Sequence, residues 1–197
     1  MRALTDRELW RRAAAGESQA FGELYERHAN SIYNYCFRRC ANWATAEDLT
    51  ATVFLEAWRK RRKVVFDRED AVLPWLYVVA GNVVRNEARR LRRLARFLGS
   101  LAGGEPAARD TVERLAEEDR MRTILAAVRE LPHREQDVLA LCVFADLTYE
   151  QVALTLGIPI GTVRSRLARA RNHLGELSSE RGHERANDAS SLPRASV

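Results

Sequence analysis

The stretch "LTYEQVALTLGIPIGTVRSRLARARNHL", Leu147–Leu174, combines two helical patterns with a sharp turn between them. Thr148 can cap the first helix, and Gly157 permits the left-handed backbone that ends it. Pro159 stops that helix from continuing. Apolar residues of the second pattern recur at spacings of four, three and four: Val163, Leu167, Ala170 and Leu174. The stretch therefore predicts a helix-turn-helix with this stripe facing a core.

The side of the second helix opposite this stripe is polar. At 100° per residue it lies about 200–260° from Val163 and presents hydroxyl and guanidinium groups. Arginine can pair bidentately with guanine, and hydroxyls reach base edges, when such a helix enters the major groove. Four side chains on or beside this face are predicted to read bases: Thr162, Arg164, Ser165 and Arg169. Arg166 and Arg171 lie nearer the stripe and are predicted to contact phosphates.

The rest of the 197-residue chain carries further basic clusters. Residues 59–63 read "RKRRK", and residues 85–96 read "RNEARRLRRLAR". The formal net charge is +5 at pH 7, and hydrophobic residues make up 46% of the chain, enough for packed cores. Together with the helix-turn-helix, these separated basic clusters are typical of a protein that contacts a long polyanion at several places.

Helical periodicity runs through most of the chain, with no strand pattern, so the predicted class is all-α. Thr5-x-x-Glu8 is typical of a capping box that opens a first helix ending near Gly16. Asn30 or Ser31 predicts a new helix start further on. Phe66 lies in an acidic stretch without a clear period.

The strongest linker candidate is "GSLAGGEPAARD", residues 99–110, with three glycines and a proline. We therefore predict two small helical domains joined by a flexible linker. The predicted divisions are a first domain over 1–97, a linker over 98–111, a helix-turn-helix domain over 112–177 and a disordered tail over 178–197. The tail is assigned because it is polar and has little to bury.

Three cysteines do not make a disulfide framework and favour a reducing compartment. Cys36 and Cys40 are four residues apart on one predicted helix, and His28 precedes them, which leaves redox or metal sensing open. A zinc site would need a fourth ligand that the sequence does not supply. The first residues are charged and the longest apolar run is short, so the prediction is a cytoplasmic protein without membrane insertion.

No phosphate-binding glycine loop, nucleophile elbow or metal-carboxylate cluster appears in the sequence. We therefore predict no catalysis, no cofactor and no metal. Two other classes remain open beside a multi-contact DNA-binding protein. One is a stand-alone helix-turn-helix regulator that binds duplex DNA by itself, and the other is an enzyme acting on nucleic acid.

Two parts of the chain resemble a known family. Residues 131–171, "LPHREQDVLALCVFADLTYEQVALTLGIPIGTVRSRLARAR", closely resemble region 4 of the extracytoplasmic-function (ECF) group of bacterial sigma-70-type RNA polymerase sigma factors. "FGELYERHANSIYNYCFRR" (21–39), "TAEDLTATVFLEAWR" (45–59) and "LPWLYVVAGNVVRNEARR" (73–90) resemble its region 2, in the same order. The resemblance covers about residues 17–96 and 115–175.

The resemblance implies a function that needs both regions. In this family, region 2 docks on the clamp helices of the RNA polymerase β′ subunit and opens the −10 promoter element. Region 4 binds the β flap and reads the −35 element. The implied partners are therefore core RNA polymerase, promoter DNA and an anti-sigma factor that holds the protein inactive.

The family motifs also assign roles to residues of region 2. Asp48 would face polymerase, with Leu49 and Phe54 near the same surface. Where the family commonly continues with Gln-Glu, this chain has Ala51 and Thr52, so a polar contact to polymerase is missing. The implied contacts of the opened −10 strand are Phe66, Asn82, Arg85, Asn86, Arg89 and Arg90. For Phe66, a place in the core is an equal alternative.

Overall fold

The structure, a computed structural model, describes residues 4–98 and 112–190. Within these ranges the chain is helical and contains no strand, which confirms the all-α class. The N-terminal bundle consists of α1 (Asp6–Ala15), α2 (Ser18–Cys40), α3 (Trp43–Lys60) and α4 (Val72–Leu98). The C-terminal bundle consists of α5 (Val112–Glu130), α6 (His133–Leu139), a π-helical turn (Ala140–Phe144), α7 (Tyr149–Leu156) and α8 (Ile160–Ser190).

Helix α1 begins and ends where the local signals predict. The Thr5 hydroxyl accepts the Glu8 N–H at 3.3 Å, and the Glu8 carboxylate accepts the Thr5 N–H at 2.8 Å. Gly16 closes the helix with a φ of 112°, in the left-handed region that glycine adopts without strain. The capping box is therefore confirmed.

Helix α2 continues through Asn30 and Ser31, so the predicted restart at this point is wrong. His28 and Ile32 on either side of it are buried, whereas Asn30 is exposed. Burial of the apolar face along the whole helix outweighs the weak local preference of Asn and Ser for a helix end.

The core of the N-terminal bundle lies between its helices. The most deeply buried large side chains there are Leu9, Leu24, Ile32, Val53, Val72 and Leu76. The segment between α3 and α4 is fixed on α1, because Trp10 Nε1 donates to the Val64 carbonyl and Arg7 Nε donates to the Phe66 carbonyl, each at 2.9 Å. A stretch without a clear period in the sequence is thus held in place by polar contacts to its main chain.

Helix α8 extends further than the sequence predicts. It reaches Ser190, whereas the predicted tail begins at residue 178, and residues 191–197 lie outside the described part of the chain. The disordered tail over 178–197 stays a prediction. A polar composition argues against packing but not against helix, since elongation from a formed helix needs no nucleation. No proline interrupts the segment before Pro193. The predicted linker also lies outside the described residues, apart from Leu98 at the end of α4.

The two bundles pack against each other. Helix α2 contacts α5 and the π-helical turn, and α4 contacts α7. Buried residues of both bundles join one hydrophobic cluster. Among the helices of the described residues, none has the length and apolar character needed to cross a bilayer.

One partly buried polar contact in the N-terminal bundle gives a stability prediction. Asp6 Oδ2 lies 2.6 Å from His28 Nε2, and Asp6 Oδ1 lies 3.0 Å from Arg27. The hydrogen bond to His28, more than any other contact, lowers the pKa of Asp6 below its usual value. A lowered carboxyl pKa stabilises the fold above the unfolded pKa, and the contribution is lost as pH falls through the folded pKa.

We expect Asp6→Asn to lower the free energy of unfolding by about 1–2 kcal/mol at pH 7. This is at the low end of what hydrogen bonds to charged groups contribute, because solvent screens the partly exposed Asp6 side chain. The difference from wild type should shrink as pH falls below about 4. Urea denaturation of both proteins, at pH 7 and at a pH below about 4, measures this difference in the free energy of unfolding. Asp70→Asn is the matched control, because Asp70 pairs with Arg68 at an exposed site and should change little. A cost that stays constant down to acid pH would contradict the prediction.

Candidate nucleic-acid interface

The helix-turn-helix has the local geometry that the sequence predicts. Thr148 and Gln151 form a reciprocal capping box at the start of α7, and Gly157 ends that helix with a φ of 63°. The Ile158 N–H bonds to the Ala153 carbonyl at 3.0 Å, which fixes the turn. The predicted inward stripe of α8 is confirmed, because its first three members are at most 2% exposed: Val163, Leu167 and Ala170.

The predicted base-reading side chains lie together on the outer side of α8. Arg164, Ser165 and Arg169 are exposed, and Thr162 is half-buried. The Ser165 hydroxyl donates to the Thr162 carbonyl at 3.1 Å, and Arg169 Nε donates to the Ser165 carbonyl at 3.3 Å. The guanidinium carbon of Arg164 lies 5.9 Å from the centre of the Tyr149 ring. These groups form one polar surface that a DNA groove can approach.

The two side chains assigned to phosphates flank this surface. Arg171 is exposed and Arg166 is half-buried beside the apolar stripe. Their position suits guanidinium groups that reach the DNA backbone from the edge of the helix. Their role stays a prediction.

Helix α4 carries the second polar surface, and three of its predicted strand contacts lie in the open. Asn86, Arg89 and Arg90 are exposed, and Arg90 forms two 2.8 Å hydrogen bonds to Glu87. Glu87 orients this guanidinium and neutralises part of its charge.

The other two predicted strand contacts of α4 are linked to each other and to the C-terminal bundle. Arg85 donates to the Asn82 side-chain oxygen at 2.7 Å and to Asp137 of α6, also at 2.7 Å. A side chain predicted to hold DNA is therefore engaged by a carboxylate of the other bundle.

Phe66 is a core residue in this structure. It is 8% exposed, and its ring meets those of Trp10 and Trp75 edge-on, with centroids 5.1 and 5.8 Å away. The alternative of a core position therefore describes Phe66 better than a surface for an unstacked base. Its ring closes the aromatic cluster between α1 and α4.

The predicted polymerase-facing residues separate into two groups. Asp48 is exposed on α3, whereas Leu49 and Phe54 are 5% and 4% exposed and belong to the core. That Leu49 and Phe54 lie near the polymerase-facing surface stays a prediction, and their burial places them beneath the exposed residues of α3. Their spacing marks the inward stripe of α3, which turns the neighbouring Asp48 outward. Two apolar side chains of this bundle are exposed: Leu55 of α3, and Tyr25, whose ring centroid lies 4.8 Å from that of Phe54.

Sequence reasoning missed the residues that join the bundles. Glu118 of α5 is 2% exposed and accepts the main-chain N–H of Trp43 at 2.9 Å. A signal for it was present in the sequence, because an acid stands in the apolar stripe of α5 formed by Met121, Leu125 and Val128. A charge in such a stripe indicates a specific partner. Asp137 carried no comparable signal.

All three cysteine thiols are at least partly buried, which slows their reactions with electrophiles and oxidants. Burial raises the pKa of Cys36 to about 12 and that of Cys40 to about 11, and it also raises the pKa of Cys142. Cys36 is completely buried, whereas the other two are half-buried. The nucleophile is the thiolate, and its fraction at neutral pH falls as the pKa rises.

We expect native protein treated with iodoacetamide at pH 8 to keep Cys36 unmodified, while Cys142 is alkylated first. Peptide mass spectrometry over a time course measures both, and the urea-unfolded chain is the control in which all three react alike. Rapid alkylation of Cys36 in the folded protein would contradict its burial and would favour a redox-sensing role for this residue.

A helical bundle with an exposed basic helix, packed beside a helix-turn-helix, defines an all-α protein with two helical units. Comparison with known families specifies it further. Residues 24–94 match the family model "Sigma-70 region 2", and residues 121–174 match "Sigma-70, region 4". The chain belongs to the ECF RNA polymerase sigma factors.

Relatives of known identity support this assignment. Over 156 residues the chain is 33% identical to the ECF sigma factor SigL of Mycobacterium tuberculosis, covering 79% of this chain and 86% of SigL. Over 175 residues it is 31% identical to the ECF sigma factor BldN of Streptomyces coelicolor, covering 86% of this chain and 64% of BldN. The chain thus spans somewhat less than two thirds of BldN.

Solved structures share the fold. CnrH, solved in complex with the cytosolic domain of CnrY, aligns with a TM-score of 0.66 at 22% identity, over 89% of this chain and 97% of CnrH. The sigma factor RpoE of Bartonella quintana, solved with the anti-sigma factor NepR, aligns with a TM-score of 0.57 at 22% identity, over 81% and 96% of the two chains.

Proposed function

We propose that this protein is a dissociable subunit that directs core RNA polymerase to a set of promoters and helps to open the −10 region. The observation that carries the proposal is the order of two matched regions in one chain, each with its own exposed polar surface. It acts in the cytoplasm and has no catalytic role, since polymerase supplies the chemistry.

The C-terminal bundle is proposed to read the −35 element with the outer side of α8. Thr162, Arg164, Ser165 and Arg169 face the major groove, and Arg166 and Arg171 hold phosphates. The exposure of this surface and the buried stripe behind it support the assignment. This bundle also contacts the β flap of polymerase.

The N-terminal bundle is proposed to hold the opened −10 strand and the β′ clamp helices. Opening DNA costs about 1.4 kcal/mol per base-pair step in stacking. A protein without ATP meets that cost only by binding the exposed strand more tightly than the duplex. The α4 side chains Asn82, Arg85, Asn86, Arg89 and Arg90 supply the polar track. Asp48 is the proposed polymerase contact, and Leu49 and Phe54 support its helix from the core.

An anti-sigma factor is the proposed regulator. The fold is shared with a sigma factor that was solved bound to an anti-sigma factor, and such a partner would cover the polymerase-facing surfaces. Co-purification with the tagged chain, followed by inhibition of transcription by the captured partner, tests this part.

Run-off transcription with core polymerase and fragmented genomic DNA tests the main proposal. Transcripts that start at defined sites only when the purified protein is added are expected. A gel shift of duplex DNA with the protein alone should be weak, because polymerase contributes much of the affinity. Strong, specific duplex binding without polymerase, and no factor-dependent transcript, would support the stand-alone regulator instead.

A further inference from the structure

A buried acid of the C-terminal bundle lies beside α8. Glu135, the third residue of α6, is 5% exposed. Its carboxylate lies 2.9 Å from Nδ1 of His173 in α8, 38 residues away along the chain. Because a carboxylate only accepts hydrogen bonds, this ring nitrogen carries the proton and donates it. A buried carboxylate is costly unless it is paired, so the packing of α6 on α8 favours the arrangement that keeps these two side chains together.

His173 lies on the edge of α8 between the apolar stripe and the outer side of the helix. At 100° per residue it is about 280° from Val163, and Arg169, one turn earlier, is at about 240°. Its side chain is 44% exposed. The opposite edge carries Arg164, at about 100°, whose guanidinium carbon lies 5.9 Å from the centre of the Tyr149 ring of α7. Directional contacts therefore hold α8 at both edges, one to α6 and one to α7.

The apolar stripe restrains the rotation of α8 about its own axis only in part. The three buried members of the stripe are held by apolar contacts, which have no preferred direction. Leu174, its fourth member, is only half-buried. A hydrogen bond, in contrast, weakens steeply when its angle changes. The contact between Glu135 and His173 lies where the burial of the stripe ends, and it therefore restrains the rotation of the helix there.

Rotation of α8 matters because base reading requires close placement of each side chain. A binding group has to be held within about 0.5 Å and 10–20° of its working geometry. Arg169 precedes His173 by four residues, so the two side chains leave neighbouring positions on one side of the helix. A rotation that His173 permits therefore also moves the Arg169 guanidinium.

We propose that Glu135 and His173 are positioning residues for the −35 element. Their contact sets the rotation of α8, so that Ser165 and Arg169 meet the base edges, while neither Glu135 nor His173 touches DNA. The inference rests on the proposed function for the reading role of Arg169, whereas the contact itself belongs to the fold. Discrimination between base pairs, and not only the stability of the bundle, then depends on this pair.

Three variants separate positioning from stability. His173→Ala removes the hydrogen bond but leaves a buried carboxylate unpaired, which also destabilises the fold. A second variant therefore combines Glu135→Leu with His173→Leu, because replacing a buried pair by apolar side chains of similar volume is often neutral or stabilising. This double leucine variant keeps the packing and loses the directional contact. His173→Asn is the rescue variant, since its amide nitrogen lies about where Nδ1 was and donates to the carboxylate.

The experiment uses the full chain assembled with core polymerase, and fluorescence anisotropy measures its binding to two promoter fragments. One fragment carries a −35 element found in the run-off screen, and the other differs from it by the base pair in that element whose change weakens wild-type binding most. The ratio of the two dissociation constants measures base discrimination, and a contact of good geometry gives a ratio of roughly tenfold to a hundredfold. A loss of active protein weakens binding to both fragments alike and leaves this ratio unchanged. His133→Ala is the matched control, because it removes a histidine from an exposed position of the same bundle.

We expect the ratio to fall several-fold in His173→Ala and in the double leucine variant, to recover in His173→Asn and to keep its wild-type value in His133→Ala. An unchanged ratio in His173→Ala or in the double leucine variant would overturn the positioning role. So would the absence of recovery in His173→Asn, or an equal fall in His133→Ala. None of these results touches the proposed function, which fails instead if the wild-type protein gives no factor-dependent transcript in the run-off assay.

Discussion

Replacing Arg164 and Arg169 together with alanine is expected to reduce promoter-specific transcription by roughly two to three orders of magnitude, because a good bidentate contact to a base is worth about 1–3 kcal/mol. Both side chains are exposed on the outer side of α8. Their removal leaves the buried stripe untouched, so the loss should come from recognition and not from unfolding. Run-off transcription from a promoter found in the genomic screen measures the effect.

Arg171→Ala is the matched control for this double variant. It removes an exposed arginine from the same helix, but one that is proposed to touch phosphate. It should weaken all promoters alike and reduce the salt dependence of binding by about one contact. Circular dichroism should show unchanged helix content in both proteins. If the double variant transcribes like wild type while Arg171→Ala does not, base reading lies elsewhere.

Phe66→Ala is expected to lower the free energy of unfolding of the N-terminal bundle by about 3–5 kcal/mol, the usual cost of removing a buried phenyl ring. The ring is 8% exposed and lies between Trp10 and Trp75. Deleting it leaves a cavity among aromatic groups that are tied to α1 and α4. Urea denaturation followed by tryptophan fluorescence measures the change.

Val65→Ala is the neighbouring control, since Val65 is 83% exposed and its truncation should change stability little. Phe66→Leu should cost less than Phe66→Ala because it keeps part of the buried volume. A Phe66→Ala protein with wild-type stability but impaired promoter opening would contradict the core position. It would restore the interpretation of Phe66 as a surface for an unstacked −10 base.

The helix-turn-helix could be predicted closely from sequence because its signals are local. Thr148 and Gly157 act on the backbone within a few residues of themselves, and the stripe of α8 is set by helical periodicity. The continuous α2 could not be predicted in this way. Asn30 favours a helix end by itself, but burial of Ile32 against distant helices determines the outcome.

The burial of individual side chains was the second feature that could not be predicted from the sequence. Leu49 and Phe54 occupy positions of the family motif. Whether a residue at such a position is buried or exposed depends on the helices from elsewhere in the chain that pack against it. Polar contacts between the bundles could not be predicted either, as Asp137 shows. Its partner Arg85 is 52 residues away, and no periodic pattern relates two surfaces of separate bundles.

The contact between the bundles joins parts of a single chain, so its strength is governed by an effective concentration that dilution does not change. The bundles of one molecule therefore meet at the same effective concentration whether the protein is scarce or abundant. A contact between separate molecules differs in this respect, because it weakens when the protein is diluted.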